Sequence, residues 1–286
     1  MASYPTLLAL ALLVVAPFQV AAEPLPAGAL MFPAFRLGET ISFSSKTSTH
    51  NETPQQLRDS EMTKVFDIKV LQVTSTGAVV RWTLRSGTGS ENVPASEKLW
   101  MATFKDVPID LRLDSSGLPL EVVNWTETRR RMMAAVPGGK DWSPAGITPE
   151  NDNMLMYVIM HVLAGDLSTM AAVQGHDPIL PGRTNLQGVD LPPPSVEPPP
   201  ADVHFHVTRT VELKGVDTSH CSAQIELSTI QTLKVGGHAG HAQALDTSAS
   251  VSMADRWVVS VHDTLSSPPY FLRTTDIERL SPAPCP

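Results

Sequence analysis

Positive charge is scarce in this chain. Lys and Arg number 21 against 29 Asp and Glu, for a net charge of −8. A surface of that sign repels phosphate backbones and anionic lipid heads, which excludes nucleic acid as a partner. The one basic cluster, Arg129-Arg130-Arg131, is short enough to read as a solvated helix face. Signatures of catalysis are missing too. The chain has no Gly-x-Ser-x-Gly elbow, no His-Glu-x-x-His and no phosphate-cradling glycine loop. Ser86-Gly87-Thr88-Gly89-Ser90 lacks the strand-to-helix flanks that a nucleophile needs. No catalytic residue is therefore assigned, no cofactor is expected, and the expectation is a protein that is not an enzyme. Aromatic residues make up only 6% of the chain, and cysteines number two.

What is present begins at the N-terminus. An apolar run from Leu7 to Val15, Pro17, and small residues at Val20 and Ala22 read as a cleavable export signal with processing after Ala22. The run is too short to span a bilayer, so the mature chain is expected to carry no integral membrane segment and to be periplasmic or secreted. An oxidising compartment makes a bridge between Cys221 and Cys285 the natural reading, worth roughly 4 kcal/mol on the chain-entropy model.

Beyond the signal, apolar and polar residues alternate with period two. Phe66, Ile68 and Val70 lead to Thr74-Ser75-Thr76-Gly77, and Val80, Trp82 and Leu84 return, which predicts a hairpin. Ile109, Leu111 and Leu113, a turn at Ser115-Ser116-Gly117, and Leu118, Leu120 and Val122 predict a second. Ile41 to Thr49 and Leu99 to Phe104 read as flanking strands. Later, Val203 to Leu213 pairs across a turn near Asp217 with Ala223 to Leu227, and Ala249 to Met253 pairs across Ala254-Asp255 with Trp257 to Val261. Turn centres fall about 40 residues apart in each half, which predicts two similar halves.

Helical signals lie between the halves. Asn124 caps a helix that Pro137-Gly138-Gly139 stops, and Thr148 caps one running from Pro149 to Ala164, with Gly165 ending it. Leu191 to Pro200, with six prolines, predicts a stiff polyproline spacer. The expected layout is thus a signal peptide at 1–22, a β-rich half at 23–140, a helical connector at 141–190, the spacer at 191–200 and a second β-rich half at 201–286. The fold class is α+β: a mainly antiparallel, curved sheet with two or three helices packed on it.

Two residue groups carry the candidate chemistry. His204 and His206 share one face of a predicted strand, and His238 and His241 sit in a glycine-rich loop, so four imidazoles form a candidate zinc or copper site. The simpler alternative puts His204 and His206 on the solvent side of that strand. Met154, Met156, Ile159 and Met160 lie on the apolar helix and are read either as core or as the lining of an apolar ligand cavity, since thioethers adapt to varied shapes.

The signal peptide, the Ile109 to Val122 hairpin with its Asp-Ser-Ser-Gly turn and the helix following at Asn124 together resemble uncharacterised exported bacterial β-rich proteins. In architecture the chain is similar to periplasmic lipoprotein carriers, in which a curved antiparallel sheet wraps helices and shelters an apolar ligand. That resemblance implies a non-catalytic binding or envelope-associated protein, or a lipid or lipoprotein carrier; the partner is an apolar ligand or an envelope protein of unknown identity.

Overall fold

A computed structural model describes residues 33–53, 56–136, 155–156, 158–174, 182–191, 203–217, 221–235, 238–267 and 271–282. The signal peptide, Met154, Cys285 and all of the proline-rich spacer but Leu191 lie outside the described residues. Eleven strands form one sheet: β1 (Thr40–Thr53), β2 (Gln56–Thr74), β3 (Gly77–Gly89), β4 (Pro108–Asp114), β5 (Pro119–Val122), β6 (Gly182–Leu191), β7 (Val203–Asp217), β8 (Ser222–Val235), β9 (His238–Ser252), β10 (Val258–Ser267) and β11 (Phe271–Arg279). Their spatial order is β5-β4-β3-β2-β1-β11-β10-β9-β8-β7-β6, and the two ends are not paired with each other. Every neighbouring pair is antiparallel, so each half is an up-and-down meander and the β1–β11 pair joins them. The first half has five strands, with a helix between β3 and β4, and the second has six.

Period-two patterning sets the register. Ile41, Ile68, Trp82 and Ile109 stand opposite one another on four adjacent strands, and all four are buried. A one-residue slip would turn that whole row to solvent, so the apolar pattern fixes the pairing. The strand pairs of all four expected hairpins are present, and the residues joining β7 to β8 lie outside the described ones. At the second of them the Asp114 carboxylate accepts hydrogen bonds from the Ser116 amide (2.8 Å), the Ser116 hydroxyl (2.6 Å) and the Leu118 amide (3.0 Å), with Gly117 at φ 88°. At the first, Gly77 takes φ 149°, and a Cβ there would lie 2.1 Å from the Leu113 carbonyl oxygen of the neighbouring strand. Gly77→Ala is accordingly expected to lose more than about 1 kcal/mol in urea unfolding; an unchanged midpoint would show that the β3–β4 backbone yields there.

Among the described residues, three α-helices and a π-turn accompany the sheet. Helix α1 (Ala95–Thr103) packs against β3, and α2 (Trp125–Ala135) packs against β4. A π-turn (Val158–Leu163) runs directly into α3 (Gly165–Gln174), which touches β10. Two cations hold this last unit. The Lys64 ammonium on β2 meets the Asp166 carboxylate at 2.5 Å and donates to the Val162 carbonyl at 3.2 Å, while Arg209 on β7 donates to the Ala172 carbonyl at 2.8 Å. Strands β2 and β7 stand six steps apart in the sheet, about 29 Å along its surface. They reach opposite ends of a helix of 10 residues, about 15 Å long. The sheet must therefore curl around the helical unit, and the curved-sheet expectation is met.

Local expectations failed at four places. Leu99 to Phe104 is not a strand but lies in and just after α1, because Pro94 opens a helix on which Trp100 and Phe104 fall four apart. Gly165 does not end a helix; it opens α3, and it lacks the positive φ of a terminating glycine. The chain before it is wound wider than α, with the Ala164 amide donating to the Ile159 carbonyl five residues back. Asn124 precedes α2 in a left-handed conformation without a side-chain capping bond. Strand β6 occupies the end of the stretch expected as a helical connector and takes Leu191, the first residue of the expected spacer.

Candidate functional site

The concave face is apolar over most of its area. Phe43, Phe66, Trp82 and Trp257 fill it with stacked and tilted rings, and α3 adds Leu167, Met170 and Val173. Towards the other end of the strands the same face turns polar. Thr47, Thr275, Asp263 and Thr247 are directly opposite one another on β1, β11, β10 and β9, which puts all four side chains on one side of the sheet. Asp263, Thr275 and Thr247 are 4%, 5% and 4% exposed. Ser45, two residues before Thr47 and opposite Lys64, is 1% exposed. A seam of hydroxyls, a carboxylate and an ammonium thus crosses an otherwise greasy interior.

The bonds within the seam are few. Thr247 donates to the Asp263 carboxylate at 2.6 Å, and the Thr47 and Thr275 hydroxyls lie 3.3 Å apart. The Ser45 hydroxyl and the Arg273 Nε are buried without a hydrogen-bond partner, each a loss of about 1–3 kcal/mol if nothing satisfies it. Burial pushes the Asp263 carboxyl above its ordinary range, against the opposing pull of the Thr247 hydrogen bond and the charges of Arg273 and His262. A carboxyl raised in the folded state favours folding in its protonated form, so its contribution worsens as pH climbs from about 4 upward. Asp263→Asn, which keeps the oxygen that Thr247 binds, is expected to gain stability relative to wild type between pH 4 and pH 7. Parallel urea titrations across that range with no divergence would show that Asp263 is hydrated.

Next to the seam, Lys64 and Asp166 form a pair with side chains 4% and 5% exposed. Glu97 on α1 also feels the Lys64 charge, but burial dominates and raises its carboxyl. In the π-turn, desolvation holds the His161 imidazole below its ordinary value. Such wide turns recur at functional positions. Here the turn presents its last carbonyls to Lys64.

The structure distributes the expected site residues unevenly. Ile159 is fully buried, and Met156 and Met160 are partly buried against the core. On β7, His206 stands opposite Thr232 and His204 opposite Lys234, with β8 between them and the β9 histidines. The side chains of His204, His238 and His241 lie outside the described residues, and among the described ones no three acids, histidines or cysteines cluster as metal ligands. Cys221 precedes β8 at φ 50°, while its expected partner is outside the description. Arg131 was read as solvated, yet it reaches Asp110 at 3.5 Å with only 18% exposure. The seam itself was missed. Its one signal was phase: Asp263 alternates with Val261 and Leu265, and Lys64 with Phe66, at positions where the pattern calls for apolar residues.

The opposite face carries two exposed pairs, His50 with Asp59 at 2.5 Å and His262 with Asp276 at 2.6 Å. The first borders a shallow open depression of about 330 Å³ that Ser48, Glu61, Ser90 and Leu272 also line. Pairs this exposed contribute little, and nothing there withdraws a reacting group from water.

The class defined so far is a curled, open antiparallel sheet covered by a π-turn and helix over a part-polar concave face. No family model and no curated protein matches the chain. Among solved structures it is similar to lipovitellin, described for its lipid–protein interactions, with 10% identity and a TM-score of 0.46 over 88% of this chain and 26% of that one. It is also similar to an outer membrane channel from Pseudomonas putida F1, with 8% identity and a TM-score of 0.21 over 90% of this chain and all of that one. Among the described residues no helix is long and apolar enough to cross a membrane.

Proposed function

We propose that this is an exported, non-catalytic binding protein that carries an apolar ligand between the concave face and the helical unit covering it. The observation that supports the reading is how the cover is attached. Helix α3 is pinned near its two ends by Lys64 and Arg209; Met170 lies between these pins and Met156 and Met160 just before the first, all three against the core. Charged pins regain water when they separate, so opening there costs less than exposing the same area of apolar surface. Thioethers between and beside the pins can repack around an inserted chain.

The reading is tested by native mass spectrometry of the protein purified from the envelope fraction of its own host. Copies carrying an extra mass of lipid size, removable by an apolar resin, are the expected result. Bare protein from every preparation would overturn carriage. The same sample checks export and oxidation: processing after Ala22, and thiols that alkylate only after reduction if Cys221 and Cys285 are bridged. An unprocessed chain with alkylatable thiols in the cytosol would remove the exported part of the reading.

A further inference from the structure

Resting on that reading, we infer that the polar seam is a subsite for an uncharged, hydroxyl-bearing head of an amphipathic lipid, of the monoacylglycerol kind, whose chain lies under the methionine-lined cover. The seam is built for hydrogen bonds it does not make internally. The Ser45 hydroxyl, 1% exposed, and the Arg273 Nε have no partner. Thr47 and Thr275 are spent only on each other, at 3.3 Å, and Thr247 reaches just one oxygen of Asp263. A head that both donates and accepts, as a hydroxyl does, satisfies such a set.

Charge balance selects against an ionic head. Asp166 answers Lys64, and Arg273 lies close enough to Asp263 to pull its carboxyl down. A carboxylate or phosphate brought here would have to share Arg273 with Asp263, whose own charge repels it. Exposure gives the direction of entry: Thr47 and Arg273 are half-buried at the rim, while Ser45, Thr275 and Asp263 form the back. Sites of this make, apolar walls with a few placed polar groups, fix a ligand's orientation through those groups.

The test uses the full protein, stripped on an apolar resin, and N-phenyl-1-naphthylamine, an uncharged apolar fluorophore. Three lipids with the same oleoyl chain then compete: monooleoylglycerol, oleate and lyso-oleoylphosphocholine. Monooleoylglycerol is expected to displace the fluorophore at a concentration at least tenfold below anionic oleate and zwitterionic lyso-oleoylphosphocholine. Ser45→Ala and Thr275→Val are each expected to erode that preference about fivefold while fluorophore affinity stays as in wild type. Ser45→Ala removes one atom, so it decides the matter even if Thr275→Val does not fold. Equal displacement by all three lipids, preference for either ionic head, or full preference retained in a folded Ser45→Ala protein would overturn the subsite and leave carriage standing. A fluorophore that never binds would instead remove the carrier reading, and the subsite with it.

Discussion

Replacing Lys64 by methionine is expected to lower the unfolding free energy by about 3–5 kcal/mol, the range for breaking a buried ion pair from one side. The Lys64 ammonium satisfies the Asp166 carboxylate at 2.5 Å and the carbonyls of Val162 and Leu163 at 3.2 and 3.5 Å. Methionine fills the stem's volume and takes the cation away from all three acceptors, Asp166 at 5% exposure among them. The double variant Lys64→Met with Asp166→Leu is expected to recover most of the loss, because an apolar pair of similar size replaces the ions without a desolvation penalty. Urea unfolding at pH 7 measures both. A single-variant loss under about 1 kcal/mol would mean that water reaches the pair and the cover is not pinned there. Protease should also cut near the π-turn sooner in the single variant than in the double, since the pair anchors the turn's last carbonyls.

Trp82→Ala is expected to cost a comparable 3–5 kcal/mol, the range for removing a large buried aromatic. Trp82 ends a ladder of rings: it stacks on Phe66 with centroids 5.9 Å apart, Phe66 on Phe43 at 5.7 Å, Phe43 tilts against Trp257 at 6.4 Å, and Phe35 meets Trp257 edge-on at 5.5 Å. That ladder runs from β3 through β2 and β1 to the residue before β10, so it joins the two halves. The Trp82 Nε1 has no hydrogen-bond partner and the ring is fully buried. Trp82→Phe is therefore expected to cost much less than Trp82→Ala, since it keeps a ring and discards an unsatisfied donor. Equal losses for the two variants, read by denaturant unfolding, would show that the indole nitrogen is satisfied or that stacking contributes nothing.

The hairpins were legible because each rests on neighbours in sequence. Thr74-Ser75-Thr76-Gly77 and Asp114-Ser115-Ser116-Gly117 are turn chemistry, and the alternation on either side names the buried face. Trp257 and Val261 were placed inward correctly, while the bulge between Val258 and Ser260 turned Val258 inward where alternation pointed to Val259. Helix α1 was lost to ambiguity, because a six-residue apolar stretch carries too few periods to tell 2 from 3.6. The break at Gly165 was lost for another reason. Its restart depends on Lys64, about a hundred residues earlier, which takes the orphaned carbonyls at the end of the π-turn.

By itself the sequence determined which residues pair locally, which face of each strand is greasy, and an acidic chain ill-suited to phosphate. Only the tertiary structure decided the curl of the sheet, the position of the cover and the alignment of Thr47, Thr275, Asp263 and Thr247 into one seam. The physical reason is separation along the chain. Thr47 and Thr275 lie more than two hundred residues apart, and no local propensity encodes which polar residue will stand opposite which until every intervening strand has found its register.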